Sequence, residues 1–309
     1  MSKSEDQAAR GRMEKLAKQI NDLRFRYHVL DEPGITDEVY TSLTQELLAL
    51  EGKYPQFKSK NSPTGRVGGR VLAKFEKVRH DRRMLSLTDA FSFEEIEQWE
   101  ARILKLVPGS RPEYFCELKF DGLAISLRYQ HGELAIGATR GDGTEGENVT
   151  QNVKTIHSIP LELDYQPPLE VRGEAVMTKA AWQELNRRQE QESKPLYANT
   201  RNAAAGSIRQ LDPKLPASRG LQYYAYEIAT DLGQKTHEDV HRQLRDLGFK
   251  TNPQYERRVS SLSEVREFYE EVSRAREKLP LRSGDHCIGV RTPSRSPRWM
   301  LSPMPISSP

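Results

Sequence analysis

Apolar residues near the N-terminus recur every three or four positions, as they do along the buried face of an α-helix. One such segment covers residues 5–30, and a second runs from an N-cap at Thr36 to about Glu51. A Pro-Gly turn at residues 31–34 separates the two segments. The pattern predicts a helical hairpin that is too thin to stand alone and therefore docks on, or closes over, another part of the protein.

Residues 58–70 are rich in Lys, Ser, Pro and Gly and predict a linker, and a helix with Ser92 as its N-cap is predicted at 93–106. From about residue 113 the hydrophobic period changes to two, which predicts strands at 113–120, 123–129, 133–140, 169–176 and 221–228. Further helices are predicted at 179–192, 202–210 and 236–248. We therefore expect an α+β domain with a largely antiparallel sheet and without internal repeats.

The last 28 residues differ from the rest, with six Ser, five Pro, four Arg and one acidic residue. They show no sustained periodicity, so we expect this tail to be poorly ordered. The predicted organisation is a helical module with its linker at 1–70, an α+β domain at 71–281 and an aberrant tail at 282–309.

Composition excludes several classes of protein. The chain has 309 residues, 36% of them hydrophobic, and a net charge of +3, which permits a polyanionic partner but does not require one. Its two cysteines, Cys116 and Cys287, cannot build a disulfide framework or a zinc site. There is no apolar run of transmembrane length and no signal peptide at the start, so we expect a cytosolic protein without a membrane association.

Candidate chemistry concentrates in the run Phe115–Gly122. Glu117 and Lys119 share one face of the predicted strand, while Cys116, Leu118 and Phe120 share the other. A lysine beside a glutamate, just before an Asp-Gly turn, indicates a nucleophile held in a pocket. The same pair is also typical of the solvent face of an ordinary antiparallel sheet.

Four further segments supply polar groups, and each has an ordinary structural explanation when taken alone. Residues 140–148 form a Gly-rich turn without the Lys-Ser/Thr of a P-loop, residues 171–174 place Arg and Glu on one strand face, residues 199–210 carry two arginines, and residues 223–226 are aromatic. Together they offer arginines for phosphate, carboxylates for sugar hydroxyls or a metal, and an aromatic face. With a lysine whose deprotonation is favoured by nearby cations and partial burial, this inventory suits nucleotidyl transfer through a covalent lysine adduct.

Longer motifs make the assignment specific: Ser62-Pro63-Thr64-x-Arg66-Val67-Gly68, Met84-Leu85-Ser86-Leu87, Ala138-Thr139-Arg140-Gly141-Asp142-Gly143 and Arg201-Asn202-Ala203-Ala204-Ala205-Gly206-Ser207. With these, the chain resembles the bacterial NAD⁺-dependent DNA ligases from its N-terminus to about Leu279. Lys119-Phe120-Asp121-Gly122 matches the Lys-x-Asp-Gly motif of covalent nucleotidyltransferases. The resemblance implies an ATP-grasp-like ligase adenylation fold, preceded by a module that binds nicotinamide mononucleotide.

The resemblance also implies roles for individual residues. Lys119 would be the catalytic residue that carries AMP. Nicotinamide mononucleotide would contact Tyr27, His28, Asp37, Tyr40 and Thr41. The adenosine would contact Ser86, Leu87 and Glu117, and Tyr226 would stack on the adenine. Arg140 and Glu174 would contact the sugar and phosphate region, Asp121 would support Lys119, and Gly122 would belong to the same cofactor site. Phosphate or nicked DNA would contact Arg201 and Arg209. Without the resemblance, His28 is interpreted as a helix-face histidine that binds no ligand.

At the level of the whole protein, the resemblance implies NAD⁺ as AMP donor, Mg²⁺ or Mn²⁺, and sealing of 5′-phosphate/3′-hydroxyl nicks in duplex DNA. It further implies a monomer in the bacterial cytosol, associated with the nucleoid. For this chain alone we expect only NAD⁺ binding and self-adenylation, and we expect nick sealing to fail. Two alternatives stay open: a catalytically dead remnant that still binds nucleotide or DNA, and an ATP-using or RNA-capping relative that shares the lysine motif.

The chain departs from the family pattern in two places. Thr41 stands where the family has an aspartate, which weakens attraction to the nicotinamide cation by on the order of 1 kcal/mol. Beyond Leu279 the family continues with an Asp-Gly-x-x-x-Lys strand, whereas Gly284 occupies the place of that aspartate here. The loss of pattern suggests a frameshift or a truncated gene, a hypothesis that an intact in-frame gene with the same tail would refute.

Overall fold

The computed structural model describes residues 3–30, 37–59, 62–66, 72–85, 88–90, 92–109, 111–281, 283–291 and 300–302. The predicted hairpin is present as α1 (Lys3–His28) and α2 (Asp37–Lys53). Leu16, Ile20 and Leu47 are buried between the two helices, as their helical spacing predicts. The predicted N-cap Thr36 lies outside the described residues.

The predicted linker is partly structured. Pro63–Gly65 forms a short 3₁₀-helix, and Ser62 caps it by accepting a hydrogen bond from the Thr64 amide. The hydroxyls of Ser62 and Thr64 both donate to the carboxylate of Glu51 near the end of α2. These hydrogen bonds therefore hold the segment at residues 62–65 against the end of α2.

The rest of the chain mixes helices and strands. In order they are β1 (Lys77–Arg79), β2 (Thr88–Asp89), α3 (Phe93–Leu106), β3 (Tyr114–Phe120), β4 (Leu123–Gln130), β5 (Glu133–Thr139), β6 (Glu145–Glu147), α4 (Thr150–Val153), β7 (Leu169–Met177), α5 (Lys179–Gln191), α6 (Thr200–Ile208), α7 (Lys214–Ala217), β8 (Leu221–Ile228), α8 (His237–Asp246), β9 (Glu256–Val259), α9 (Leu262–Ala275), β10 (Ser283–Arg291) and β11 (Met300–Ser302). Ser92 caps α3 as predicted, because its hydroxyl accepts a hydrogen bond from the Glu95 amide.

Two larger sheets organise these elements. One has the strand order β5-β4-β7-β8 and is antiparallel throughout. The other has the order β2-β11-β10-β3-β9 and is antiparallel except for the β11–β2 pair. The strands β1 and β6 form a small additional ladder. The predicted α+β class with largely antiparallel sheets is confirmed.

Each large sheet buries one face in its own hydrophobic core. Strands β4, β7 and β8 contribute Ile125, Val171 and Tyr223 to the larger core. Strand β3 contributes Cys116 and Leu118 to the second core, where they join residues of α3 and α9. Burial raises the pKa of the Cys116 thiol to about 12, so it stays protonated and acts as a small apolar side chain.

The C-terminal tail contains two strands, at residues 283–291 and 300–302, that the sequence pattern did not predict. Strand β10 pairs antiparallel with β3, with Ile288 opposite Leu118 and Gly289 opposite Glu117, and β11 pairs with β10. A strand edge carries a row of backbone donors and acceptors that any extended segment can satisfy. Backbone pairing of this kind leaves little trace in composition, which is why the sequence pattern missed it.

Candidate active site

Lys119 lies near the end of β3, where the chain turns sharply into β4. The turn contains Gly122, and a Cβ atom added there would lie 2.2 Å from the carbonyl oxygen of Ala175 on β7. The residue must therefore be glycine for the β3–β4 turn to pack this closely on β7. In the resulting register Leu123 lies opposite Ala175 and Ala124 opposite Glu174.

The half-buried carboxyl of Glu174 is the electrostatic centre of the site. Burial raises its pKa from the usual 4.5 to about 7. Three nearby positive charges partly oppose this shift, those of Lys119, Arg140 and Arg201, whereas the negative charge of Asp121 adds to it. The structure thus brings together five of the residues that the sequence motifs single out.

Asp121 and Arg201 form an ion pair beside this carboxyl. Arg201 Nη1 lies 3.5 Å from Asp121 Oδ1. Arg201 follows the N-cap Asn199, whose side chain accepts a hydrogen bond from the Asn202 amide at the start of α6. The helix start therefore places this guanidinium against the Asp-Gly turn that comes after Lys119.

The Gly-rich turn after β5 is packed against its neighbours and fixes the backbone of Arg140. The Arg140 amide donates to the Ala124 carbonyl at 3.0 Å, and the Arg140 carbonyl accepts a hydrogen bond from the Gly143 amide at 3.0 Å. The Asp142 carboxylate accepts the amides of Thr144 and Glu145, both at 2.8 Å. The turn is therefore an anchored element and not only a solvated loop.

Tyr226 occupies an irregular position in β8. Arg172 pairs with Glu227 and Gly173 pairs with Ala225, so the register shifts at Tyr226 and the strand has a β-bulge there. Bulges of this kind re-aim a side chain, and Tyr226 is half-buried whereas Tyr223 lies in the core.

Glu117 makes contacts that the sequence analysis did not predict. Its buried carboxylate lies 2.9 Å from His241 Nε2 and 3.3 Å from His237 Nε2. Burial by itself lowers the pKa of His241, but hydrogen bonds to Glu117 and Glu256 outweigh it and raise the pKa to about 9. The spacing of the two histidines, four residues apart in a predicted helix, was the available signal that both face the same side.

The hairpin residues form a separate group. The Tyr27 ring is 49% exposed and lies 4.8 Å, edge-on, from the His28 ring, which in turn stacks on His157 at 4.7 Å. Tyr40 is half-buried, and burial raises its pKa, while Arg66 and Arg24 act in the opposite direction. Thr41 is exposed.

Two buried arginines hold the hairpin and its linker against the loop after α4. Arg66 is 3% exposed and donates hydrogen bonds of 2.9–3.0 Å to three carbonyls, those of Lys154, Ile156 and Ile159. Arg24 donates to the carbonyl of His157. Burial lowers the pKa of Arg66 to about 9. The predicted docking of the hairpin is confirmed by these contacts.

Sequence comparison identifies the family. Residues 72–288 match the NAD-dependent DNA ligase adenylation domain, and residues 6–68 match the DNA ligase-like N-terminal NAD⁺-binding domain. The chain belongs to the NAD-dependent DNA ligase family. The match to the adenylation domain ends at residue 288, inside β10. The similarity to the family therefore extends beyond Leu279, where the motifs of the sequence analysis end.

Several DNA ligases are similar to the chain over most of its length. The DNA ligase of Natranaerobius thermophilus is 42% identical over 302 residues, and those of Bacillus cereus strain B4264 and Bacillus anthracis are 43% identical over 306 residues. These alignments cover 94–95% of the chain and 45% of each relative. The ligase chain therefore spans about half the length of these curated relatives.

Lys119, Asp121, Arg140, Glu174 and Arg201 form the cluster that we call the Lys119 group. Not every predicted site residue of the chain belongs to it. Arg209 is 54% exposed and pairs with Glu147 on β6, with 2.8 Å between Arg209 Nε and Glu147 Oε2. Ser86 and Leu87 lie outside the described residues, and Asp37 is described only as the first residue of α2. Among the described residues, no helix is long and apolar enough to span a membrane.

Proposed function

We propose that this chain binds NAD⁺ and transfers its adenylate to Lys119. In this step the Nζ lone pair of neutral Lys119 forms a bond to the α-phosphorus of NAD⁺. The bond from that phosphorus to the oxygen of the nicotinamide mononucleotide breaks, the mononucleotide leaves with the electron pair, and the lysine amine releases a proton. The product is a lysyl-AMP phosphoramide.

The position of Glu174 among Lys119, Arg140 and Arg201 is the observation that carries the proposal. Arginines in a partly buried site neutralise the charge that develops on a phosphate during transfer. Because its pKa is about 7, the Glu174 carboxyl is present in both its protonated and its ionised form near neutral pH. Such a group suits a site where the charge changes during the reaction.

The carboxyl oxygens of Glu174 and Asp121 also fit Mg²⁺, or Mn²⁺, which prefer oxygen ligands. A carboxyl whose pKa is raised by burial gains from a nearby cation, so the donor set matches the ion. We propose that these two residues hold it, directly or through water. The ion supplies charge neutralisation at the phosphate.

The remaining contacts of the nucleotide are inferred from the family motifs. We propose that Tyr226 stacks on the adenine, with Ser86, Leu87, Glu117 and Gly122 lining the adenosine pocket. The half-buried bulge position of Tyr226 supports this role. For nicotinamide mononucleotide we propose the hairpin residues Tyr27, His28, Asp37, Tyr40 and Thr41.

For the full-length ligase we propose nick sealing in duplex DNA, with AMP passed from Lys119 to a 5′-phosphate that the 3′-hydroxyl then attacks. Arg201 and Arg209 are more than half exposed, with 56% and 54% of their side chains accessible, which suits contacts to DNA phosphates. We propose that the ligase acts as a monomer in the bacterial cytosol, associated with the nucleoid.

Intact-mass spectrometry after incubation with NAD⁺ and Mg²⁺ tests the proposal for this chain. We expect a mass gain of one adenylate that is lost in Lys119→Ala and retained in Lys105→Ala, a variant of an exposed lysine on α3. A folded protein that binds NAD⁺ tightly without any gain would be a non-catalytic remnant. A gain with ATP but not with NAD⁺ would indicate an ATP-using enzyme.

A further inference from the structure

Three side chains meet in a buried cluster between β3 and the N-terminal part of α8. His237 and His241 project from successive turns of the helix, and their Nε2 atoms are 3.0 Å apart. Glu117 Oε2 completes the triangle, 3.3 Å from His237 Nε2 and 2.9 Å from His241 Nε2. The side chains of Glu117, His237 and His241 are only 9%, 9% and 4% exposed.

The dimensions of this triangle match those of a metal site. Bonds of about 2.0–2.2 Å from a zinc-like ion to nitrogen and oxygen, at ligand–metal–ligand angles of about 90–110°, place neighbouring ligand atoms about 2.8–3.6 Å apart. All three edges, at 2.9, 3.0 and 3.3 Å, fall within that range. Two imidazoles and one carboxylate are also a ligand set that divalent transition metals use in proteins.

The surroundings of the cluster resemble the supporting shell of a metal site. His241 Nδ1 lies 2.8 Å from Glu256 Oε1, the histidine–carboxylate contact that orients a metal-binding imidazole. Arg245 in turn donates to Glu256 at 2.8 Å. The Phe115 ring lies 5.0 Å from the rings of His237 and His241 and shields them on one side.

A small cleft lies beside the cluster. Its lining includes Glu113, Phe115, Thr236, His237 and Arg258, so of the three side chains of the cluster it reaches His237.

We propose that Glu117, His237 and His241 bind one divalent transition-metal ion of the zinc class. Nitrogen ligands select such an ion over Mg²⁺, which prefers oxygen. In the metal-free protein, hydrogen bonds account for the short contacts among the three side chains. The metal ion takes the place of the protons in these hydrogen bonds. The bound ion links β3 to α8 close to Lys119.

Metal binding also takes Glu117 away from the nucleotide. This consequence rests on the proposed function, in which Glu117 contacts the adenosine. Metal coordination occupies Glu117 Oε2 and fixes the orientation of the side chain, which leaves only Oε1 for the adenosine, so we expect the metal and NAD⁺ to weaken each other's binding. The chain thus gains a site at which a transition metal inhibits self-adenylation.

Titration with Co²⁺ as a spectroscopic probe tests the site directly and needs no enzymatic activity. We expect one equivalent to give ligand-field absorption bands that Zn²⁺ removes and excess Mg²⁺ does not. His237→Gln and His241→Gln should each lose the bands, whereas His131→Gln, a variant of an exposed histidine in the β4–β5 turn, should keep them. Circular dichroism checks that each variant is folded.

A fourth variant separates metal binding from simple packing. Glu256→Gln keeps the size of the side chain that orients His241, so we expect the same bands with an affinity about 10–100-fold lower. Absence of one-to-one binding in the folded protein, or unchanged bands in both His237→Gln and His241→Gln, would overturn the proposed site.

The competition has its own readout. We expect NAD⁺ to raise the apparent dissociation constant for Co²⁺ and Zn²⁺ to slow lysyl-AMP formation in the mass assay. Co²⁺ binding that NAD⁺ does not affect would refute the competition. Failure to form lysyl-AMP with NAD⁺ and Mg²⁺, before any transition metal is added, would instead refute the proposed function, so the two failures are distinguishable.

Discussion

Single side chains set the electrostatics of the candidate active site. Glu174 is held in a half-buried position beside Lys119, and burial raises the pKa of its carboxyl to about 7. In the unfolded chain the pKa returns to about 4.5, the usual value of a glutamate. The difference between the two states links the stability of the fold to pH.

The sign of this linkage predicts the behaviour of Glu174→Gln. Below about pH 4.5 the carboxyl is protonated in both states and contributes nothing, whereas above about pH 7 the fold holds an ionised carboxylate that burial disfavours. The contribution of Glu174 to the free energy of unfolding therefore decreases as the pH rises from about 4.5 to about 7. We expect Glu174→Gln to be more stable than the parent by on the order of 3 kcal/mol at about pH 8, and nearly equal to it at about pH 4.5.

Thermal unfolding of both proteins at the two pH values measures this effect. Glu190→Gln is the matched control, since Glu190 is exposed on α5. If Glu174→Gln and Glu190→Gln showed the same dependence on pH, the cost assigned to the buried carboxylate would be wrong.

Motifs predicted the residues of the Lys119 group, but they did not predict what surrounds Glu117. The positions of Lys119, Asp121 and Arg140 are predictable from short local runs, through their turn chemistry and the family resemblance. His237 and His241 reach Glu117 only because α8 crosses β3, more than a hundred residues apart in sequence. No local pattern encodes that crossing.

At the scale of elements, the close approach of the β3–β4 turn to β7 is fixed by Gly122. A methyl group at this position would lie 2.2 Å from the Ala175 carbonyl and 2.9 Å from a Val176 methyl. We expect Gly122→Ala to lower the free energy of unfolding by about 2–3 kcal/mol, because backbone atoms must move apart. Urea denaturation measures the change.

Gly52→Ala provides the control for Gly122→Ala. Gly52 lies within α2 with nothing within 4 Å of an added Cβ, so alanine there should stabilise the protein by up to about 1 kcal/mol. Equal effects of the two substitutions would show that the contact with Ala175 does not constrain the turn.

The hairpin is held by hydrogen bonds from Arg66 to carbonyls of the loop at 154–159. We expect Arg66→Met to destabilise the protein by on the order of 3 kcal/mol, because three buried carbonyls lose their charged donor. Hydrogen exchange should show faster exchange of the α1 amides than in the parent protein. Arg102→Met, at an exposed position on α3, should leave exchange unchanged.

Unchanged protection of α1 in Arg66→Met would mean that other contacts carry the docking. The measurement therefore separates the contribution of this arginine from that of the stacked pair His28 and His157.

Elements with a clear hydrophobic period were predictable, and short or edge elements were not. The strands β3, β4, β5, β7 and β8 are predicted by alternation. The strands β1, β6 and β9 have three or four residues, too few for a period to be recognised, and their pairing is decided by partners distant in sequence. The helix α9 was also missed, although its buried residues Val265, Phe268 and Val272 recur at helical spacing.

For the whole molecule, each of the two large sheets contributes both to a hydrophobic core and to the candidate active site. Each buries one face in its own core, and β3 sends Cys116 and Leu118 into one core while Glu117 and Lys119 point the other way. The site is therefore assembled from both sheets: Lys119 comes from one and Glu174 from the other.

The C-terminal strands matter at this scale because β10 lies directly beside the strand that carries Lys119. With β10 and β9 on its two sides, β3 is an interior strand of its sheet. Removing residues 283–309 should leave one edge of β3 unpaired. We expect faster hydrogen exchange at the β3 amides and a lower thermal midpoint than in the parent chain.

A chain that ends at Ser302 is the matched control, because it retains β10 and β11 and lacks only residues 303–309. It should keep the exchange pattern of the parent. Comparable protection of β3 in the chain that ends at residue 282 would mean that the pairing with β10 contributes nothing to the sheet. Slow exchange that depends on residues 283–291 would instead show that a segment of low hydrophobic periodicity supports the strand on which the nucleophile lies.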